Sequence, residues 1–390
     1  MSFLRTLSTR RLVVVIVALV ALAGGAAAIA VAAGGGGPTP PSKPLDQAIH
    51  DALGAPAPDG ITARVTFTNK LFPSGALLGN AGSALMSGAS GRLWATNDGR
   101  GRIELQSDAG DVEIVWNTSA VSVYDASSNT VYRAALPAAA GGAPGGDNGA
   151  APALSEIDSL LSKLGAHATI SAAQPTDIAG RPAYSVTLSP KHDGGLLASA
   201  ELAWDADHGV PLRLAIFAQG ASSPVLELAV TQISYGSVSA GDVDIQPPTG
   251  ANVVDLTAPT HDSSGSETSP VTGLAAVQAA AGFPVTAPDT LVGLPRQDVR
   301  LVGGTDSKAA LVVYGQGLGA IVVVERKADA SQGKNEALSS LPTISLDGIT
   351  AHELATQLGT VLEWQRDGTS YVLAGSLPAA AGEAAARQLK

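Results

Sequence analysis

The sequence predicts an α+β protein built mainly of antiparallel β-sheet, with a small α+β domain at its C-terminal end. Three observations carry this prediction. Apolar and polar residues alternate with period two along most of the chain, as in half-buried strands. Turn residues recur about every 8–12 positions, which leaves no room for the crossover helices of a parallel sheet. Amphipathic helical segments are few and short, so the apolar sheet face exceeds the helix available to cover it.

The N-terminus predicts export. Arg5, Arg10 and Arg11 precede the uncharged run Leu12–Ala33. A helix of that length, at about 1.5 Å per residue, would cross a bilayer core of about 30 Å. Basic residues before the run place the rest of the chain outside the cytoplasm, anchored to the cell membrane by this segment. A signal peptide cut at its small residues stays open as an alternative, in which case the protein is secreted.

Two linkers divide the chain. A Gly/Pro-rich spacer follows the apolar run, and the polar stretch "TAPTHDSSGSETSP" is typical of a boundary between domains. The predicted segments are 1–33 for the transmembrane anchor or signal segment, 34–43 for the spacer, 44–256 for the first domain, 257–270 for the linker and 271–390 for the C-terminal α+β domain.

Within the first domain we predict two helices among many strands. "LDQAIHDAL" and "LSEIDSLLSKLG" place apolar residues on one helical face, the second with Ser155 as its N-cap. Between them, alternating strands are separated by the turns "TNDGRG", "SDAGD" and "DASSN", which predicts an antiparallel meander. Strands resume at Tyr184 and continue to Val230, with "SPKHDGG", "DADHG" and "GASSP" as their turns.

The C-terminal domain mixes helical and strand patterns. "GLAAVQAAAGF", "TAHELATQLG" and "AAAGEAAARQL" predict three short helices. "ALVVYGQGLGAIVVVER" predicts two strands. "TVLEWQRDGTSYVLAG" predicts a hairpin that turns at Asp367 and Gly368, because Asp-Gly between alternating apolar residues is a strong hairpin signal.

Composition argues against nucleic acid, metal and catalysis. The formal net charge of -11 would repel a phosphate backbone. Cys is absent, and no two of the six His lie at ligand spacing on one predicted element. Asp108, Asp111 and Asp125 lie in or beside turns, where Asp serves backbone hydrogen bonding. We therefore predict no catalytic residues, no metal site, no cofactor and no nucleic-acid partner, and hence no enzyme.

The excess apolar sheet face can be buried in more than one way. It packs on itself as a sandwich or closed barrel, or it bends into a half-barrel with an apolar hollow, and the pattern alone leaves both open. The loop Asn69–Gly88 is Gly-rich and non-periodic yet strongly apolar. Such a loop either packs on the core or forms a lid over a ligand. The lid candidates are Phe72, Leu77, Leu78 and Met86.

The order of elements from Pro44 to Leu256 resembles the LolA/LolB-type lipoprotein carriers, whose fold is shared with the regulator RseB. The likeness lies in "SGRLWATNDGRGRIELQSDAGDVEIVWNTSAVSVYDASSNTVYRAALP", in "AYSVTLSPK" and in "LELAVTQISYGSVSAGDVDIQPPTGANVVDL". It implies an unclosed antiparallel β-barrel wrapped around helices, with an apolar hollow that takes acyl chains. The residues expected to line the hollow are Phe67, Ile103, Leu105, Ile114, Trp116, Val121, Val123, Trp204, Leu214, Ile216, Leu226 and Leu228.

The C-terminal stretch "DGITAHELATQLGTVLEWQRDGTSYVLAGSLPAAAGEAAARQL" resembles the second domain of RseB. Together the two likenesses imply an extracytoplasmic protein that binds an acyl lipid or a lipoprotein. The alternative is an envelope-stress or signalling regulator of the RseB type, which would bind a membrane protein through its C-terminal domain.

Overall fold

The computed structural model describes residues 37–71, 84–136, 152–191, 195–255, 271–303, 308–328 and 341–390. The predicted N-terminal apolar segment lies outside these residues. Within them, no helix is both long enough and apolar enough to span a bilayer. Two compact units make up the chain and divide chiefly between Thr260 and His261, inside the predicted linker.

The described residues form more strand than helix. The helices are α1 Leu45–Gly54, α2 Ala84–Ser87, α3 Leu154–Gly165, α4 Ala240–Val243, α5 Leu274–Ala281 and α6 Ala379–Gln388. The first unit contains β1 Gly60–Asn69, β2 Ala89–Thr96, β3 Gly101–Gln106, β4 Val112–Trp116, β5 Ala120–Asp125, β6 Thr130–Ala135, β7 Ala168–Ile170, β8 Gln174–Ile178, β9 Arg181–Pro190, β10 Leu197–Asp205, β11 Pro211–Ala218, β12 Leu226–Tyr235 and β13 Asn252–Asp255. The second contains β14 Thr290–Leu291, β15 Leu294–Val302, β16 Ala309–Tyr314, β17 Ile321–Lys327, β18 Thr343–Leu346, β19 Ile349–Thr356, β20 Gly359–Arg366 and β21 Thr369–Gly375.

The first unit is one sheet of 13 strands in the order β13-β6-β5-β4-β3-β2-β1-β12-β11-β10-β9-β7, with β8 paired to β9. The predicted meander is confirmed, since β2 to β6 pair in sequence order and antiparallel. β1 joins the β2–β6 meander to the later strands of the sheet by pairing with both β2 and β12. Among the described strands, the edges β13 and β7 do not meet, so the sheet is an unclosed barrel and the predicted fold class is confirmed.

One strand departs from the predicted antiparallel order. β13 runs parallel to β6, with Val254 opposite Tyr132. The two strands are separated by more than a hundred residues, so no local turn signal announces their pairing. The returning strand extends the sheet by one position beyond the meander.

The core of the first unit is divided into two clusters. One lies beneath α1, where Ala48 packs among Tyr184, Val186 and Trp204 of β9 and β10. The other lies over β1, β3 and β4 and includes Ala84 of α2. Among the described residues, α1 therefore packs over one of the two clusters, while α2, a single turn of helix, packs in the other.

The second unit is an eight-stranded antiparallel sheet in the order β14-β15-β16-β17-β21-β20-β19-β18, packed with α5 and α6. The predicted hairpin at Asp367 and Gly368 is confirmed. Both residues have positive φ, 49° and 75°, as a two-residue turn matched to the twist of its strands requires.

Two local predictions are corrected. "TAHELATQLG" forms strand β19 and a turn rather than a helix, because β19 pairs with β18 on one side and β20 on the other and buries Ala351 completely. α3 begins at Leu154, one residue before the expected N-cap Ser155. Its apolar face is also only partly covered: Ile157 is buried, whereas Leu160 is exposed.

Candidate functional site

An apolar hollow of about 290 Å³ opens in the first unit. Side chains from β1, β3, β4, β11, β12 and α2 surround it. Nine of the ten lining residues are apolar and the tenth is Glu227. The lining residues are Phe67, Leu85, Ile103, Leu105, Ile114, Leu214, Ile216, Leu226, Glu227 and Leu228.

Strand register explains why residues far apart in sequence meet in this hollow. Cross-strand partners share one face of a sheet. Phe67 lies opposite Leu228, and Leu228 lies opposite Leu214. On the other side of β1, Ile103 lies opposite Ile114. Pairing of β1 with both β2 and β12 brings these two groups to one face, which curves around the open space.

The hollow exists because little helix covers this half of the sheet. α2 is four residues long and supplies Leu85 to the lining. α1 and its apolar face are already packed over β9 and β10. Apolar side chains that no helix covers are left around open space, which suits a hydrocarbon better than water.

Glu227, the charged residue of the lining, is ion-paired. Its Oε1 accepts from Nε of Arg213 at 2.7 Å, and a second Arg213 nitrogen pairs with Glu201 at 2.5 Å. Burial alone would lower the pKa of Arg213, but Glu201 and Glu227 outweigh burial and raise it. Two carboxylates thus share one guanidinium, and the cluster keeps a net negative charge that disfavours an anionic group inside the hollow.

Eight of the twelve residues predicted to line the hollow do so: Phe67, Ile103, Leu105, Ile114, Leu214, Ile216, Leu226 and Leu228. Two lining residues were not in that set. Leu85 belongs to the loop Asn69–Gly88, for which the sequence predicts either packing on the core or a lid. Glu227 alternates with two apolar residues, so a period of two predicts it on the opposite face of the strand. A role of any of these residues in ligand binding remains a prediction.

Four predicted residues lie outside the lining. Val123 faces the same way as Ile114 and packs against the same cluster, one strand further out. Trp116 and Val121 are opposite each other at the next position along these strands. The Trp116 ring covers Gly101, where an added Cβ would lie 2.0 Å from Cζ2 of the ring.

Trp204 is the clearest correction, because it belongs to the other cluster of the first unit. Its ring lies 6.2 Å from that of Tyr184, beneath α1. Alternation placed it correctly on an apolar face but did not show which part of the sheet a helix covers. Of the lid candidates, Phe72, Leu77 and Leu78 lie outside the described residues, and Met86 lies within α2.

A cluster at the β10–β11 turn has the residue types of a metal site but serves the turn. Ligand atoms of Asp205, Asp207 and His208 lie within 4.8 Å of one another. The buried Asp205 carboxylate accepts from Arg181 Nε at 2.8 Å, Tyr235 Oη at 2.7 Å and the backbone N–H groups of Asp207 and His208 at 2.8 and 3.0 Å. Four donors already occupy its oxygens, which makes it a poor metal ligand.

The second unit holds a buried acid of a different kind. Glu325 on β17 is fully buried, and its Oε2 accepts from the backbone N–H of Thr286 at 2.8 Å. Its Oε1 has no partner among the described residues, and the same holds for the buried Oη of Tyr314. Burial raises the pKa of Glu325 to about 7, against a smaller opposing effect of the Thr286 hydrogen bond.

Comparison with known proteins gives structural likeness alone. No family model matches the chain, and no curated protein is similar to it at a significant level. MucB in complex with MucA(peri) is 15% identical, with 88% of this chain and 96% of that chain covered at a TM-score of 0.40. The MucA/MucB complex of Pseudomonas aeruginosa is 16% identical, with 87% and 95% covered at a TM-score of 0.39.

A putative outer membrane lipoprotein-sorting protein domain from Vibrio parahaemolyticus is 10% identical and covers 52% of this chain and 96% of its own, at a TM-score of 0.23. MucB and a lipoprotein-sorting domain are thus both among the solved structures that this chain is similar to.

Proposed function

We propose that this protein binds the acyl chain of a lipid or lipoprotein in the hollow of its first unit. The observation that carries the proposal is the lining of nine apolar side chains around about 290 Å³. Ligand pockets in proteins run from about 300 to 1,000 Å³ and are mostly apolar. This hollow lies just below that range, which suits a single hydrocarbon chain.

The energetics favour a hydrocarbon over a polar ligand. Burial of one methylene group contributes about 0.8 kcal/mol, so a chain of ten buried methylenes gains on the order of 8 kcal/mol before ordering costs. Glu227 is already paired with Arg213, which it shares with Glu201, and the other lining side chains offer no hydrogen bond to a polar group. A ligand's charged or polar end would therefore stay outside, in water.

The predicted export of the chain fits such a ligand. A module tethered outside the cytoplasm by the Leu12–Ala33 segment would meet lipids or lipoproteins in the cell envelope. Tethering would also keep the hollow near a membrane from which an acyl chain can be taken. Whether the segment is retained or cleaved is decided by the mass of the mature N-terminal peptide.

Analysis of bound lipid tests the proposal directly. The full chain is expressed with a protease site placed in the Gly34–Gly37 run, the protease releases the folded part from isolated membranes, and the released protein is purified without detergent. Mass spectrometry of an organic extract is expected to show an acyl lipid in near-stoichiometric amount. A protein that is empty and also fails to bind a fluorescent fatty acid contradicts acyl binding.

The regulatory alternative predicts a different outcome. An envelope regulator of this kind would retain a membrane protein through its C-terminal domain, residues 271–390. Cross-linking of the full chain in intact membranes, followed by mass spectrometry, would then yield one stoichiometric partner. Recovery of bound lipid without such a partner favours carriage.

A further inference from the structure

Large apolar side chains are exposed at few places among the described residues, and three of them meet at one sheet edge. Tyr132 on β6 is 38% exposed, and Val253 and Val254 on the adjacent β13 are 53% and 41% exposed. Leu154 and Leu160 of α3 complete the exposed set. Clustered exposed apolar groups mark binding surfaces more often than isolated ones do.

Strand register places two of these residues on the face that forms the hollow. Ile114, which lines the hollow, lies opposite Val123. Val123 lies opposite Tyr132, and Tyr132 lies opposite Val254. Residues opposite each other share a face, so these four side chains form one apolar row that runs out of the hollow across β5, β6 and β13. We call Val123, Tyr132 and Val254 the outer row.

The outer row begins where the hollow ends. A protein cavity of about 150 Å³ holds one benzene molecule of six carbons, so about 290 Å³ has room for on the order of a dozen carbons. A longer chain must continue beyond the hollow. Strands lie about 4.8 Å apart, so the row from Ile114 to Val254 extends about 14 Å further.

We propose that the outer row binds the distal part of a long acyl chain whose first dozen carbons fill the hollow, which makes the protein selective for long chains. The proposal rests on the proposed function. The continuous apolar face from Ile114 to Val254 supports this occupant, because a chain that leaves the hollow along the row keeps one side out of water. Exposure of Tyr132 and Val254 without ligand is then the expected state.

A chain-length series tests the proposal. The protein released from membranes by the protease as above is titrated with saturated fatty acids of 12, 14, 16 and 18 carbons below their micelle concentrations, against a fluorescent fatty acid. For a chain half in contact with protein, each added methylene tightens Kd about twofold. We expect the 18-carbon acid to bind at least about tenfold tighter than the 12-carbon acid.

The double variant Tyr132→Ser/Val254→Ser is expected to reduce that ratio below about threefold while the 12-carbon acid binds as before. The matched control is Leu154→Ser/Leu160→Ser, which changes two equally exposed residues on α3 and should leave the ratio intact. Circular dichroism checks that both variants fold. A photoreactive group on the terminal carbon of an 18-carbon acid should also cross-link the unmodified protein at Tyr132 or Val254.

Each other outcome has a distinct meaning. If no acid binds, the proposed function fails and the outer row with it. If the acids bind but the ratio is the same in the variant, or if cross-links form elsewhere, acyl binding stands and the outer row is excluded. If light scattering shows a dimer that the double variant loses, the face belongs to a second copy of the chain, which also overturns the proposal.

Discussion

The charged form of Glu325 is disfavoured in the folded protein because its carboxyl is buried. Its carboxyl lies on the same face as Tyr371 and Ala310, its cross-strand partners, with Tyr314 nearby and only the Thr286 N–H as a hydrogen-bond donor. The pKa is about 7 in the folded unit against 4.5 for an ordinary carboxyl. Because the folded state holds its proton more tightly than the unfolded state, stability falls as pH rises from about 4.5 and levels off above about 7.

We expect Glu325→Gln to remove this pH dependence and to stabilise the second unit above pH 7 by roughly 3 kcal/mol, the free energy of the shift. At pH 4 the two proteins should differ little. Urea unfolding followed by circular dichroism at a series of pH values measures both. Glu363→Gln on β20, whose side chain is on the opposite face, is the control and should keep the wild-type profile. A slope that persists in Glu325→Gln would assign it to another group.

The pKa of Asp205 is shifted in the opposite direction to that of Glu325. Burial alone would raise the pKa of its carboxyl, but Arg181, Tyr235 and two backbone N–H groups outweigh burial and lower the pKa. Its contribution to stability is therefore present above the ordinary value of 3.8 and is lost as pH falls below it. Removal of one partner from a buried pair leaves the other unsatisfied.

Asp205→Asn is expected to cost the first unit about 3 kcal/mol at pH 7, because the amide nitrogen would face the Arg181 and Tyr235 donors. Because the contribution of the carboxylate is already lost in this variant, its free energy of unfolding should fall less between pH 7 and pH 3 than that of Asp207→Asn, the exposed neighbour that serves as control. Chemical denaturation at pH 7 and pH 3 measures both. A cost below about 1 kcal/mol would show that the buried carboxylate is not holding the turn.

At the scale of elements, alternation and turn chemistry predicted strands that pair with their neighbours in sequence. The meander of β2 to β6 and the hairpin at Asp367 and Gly368 are of this kind. Prediction failed at two strands for different reasons. β19 carries helix-forming residues, but its pairing with β18 and β20 outweighs that local preference. β13 pairs with a strand more than a hundred residues earlier, so no local pattern indicates its position.

The lining of the hollow also shows what a local sequence pattern can and cannot predict. Alternation identified eight of its lining residues, because each strand has one apolar face. It did not separate Trp204 from them, because the cover over β10 comes from α1, some 150 residues earlier in the chain. Which half of a sheet a helix covers is a long-range property, and period two carries no information about it.

Trp116 on β4 packs directly against Gly101 on β3. A Cβ at Gly101 would lie 2.0 Å from the Trp116 ring, well inside contact distance. Gly101→Ala should therefore displace the ring and cost about 1–3 kcal/mol. In a Trp116→Leu background the same change should cost less than about 1 kcal/mol. Urea unfolding of the four proteins gives the coupling, and equal costs in both backgrounds would show that the ring moves freely.

At the scale of the whole molecule, the side chains around an open apolar hollow lack packing contacts, which a bound ligand would supply. Unfilled cavity volume in protein cores costs about 24 cal/mol per Å³, so a larger side chain in the hollow should stabilise the first unit and exclude a ligand. We expect Leu214→Trp to raise the free energy of unfolding by about 1 kcal/mol and to weaken fatty-acid binding at least tenfold. Leu160→Trp, on the exposed face of α3, should change neither. Urea unfolding and fatty-acid titration measure the two effects together. Fatty-acid affinity that survives Leu214→Trp would place the ligand elsewhere on the protein, whereas a loss of stability without a change in affinity would mean that the space is too irregular to accept either an indole or an acyl chain.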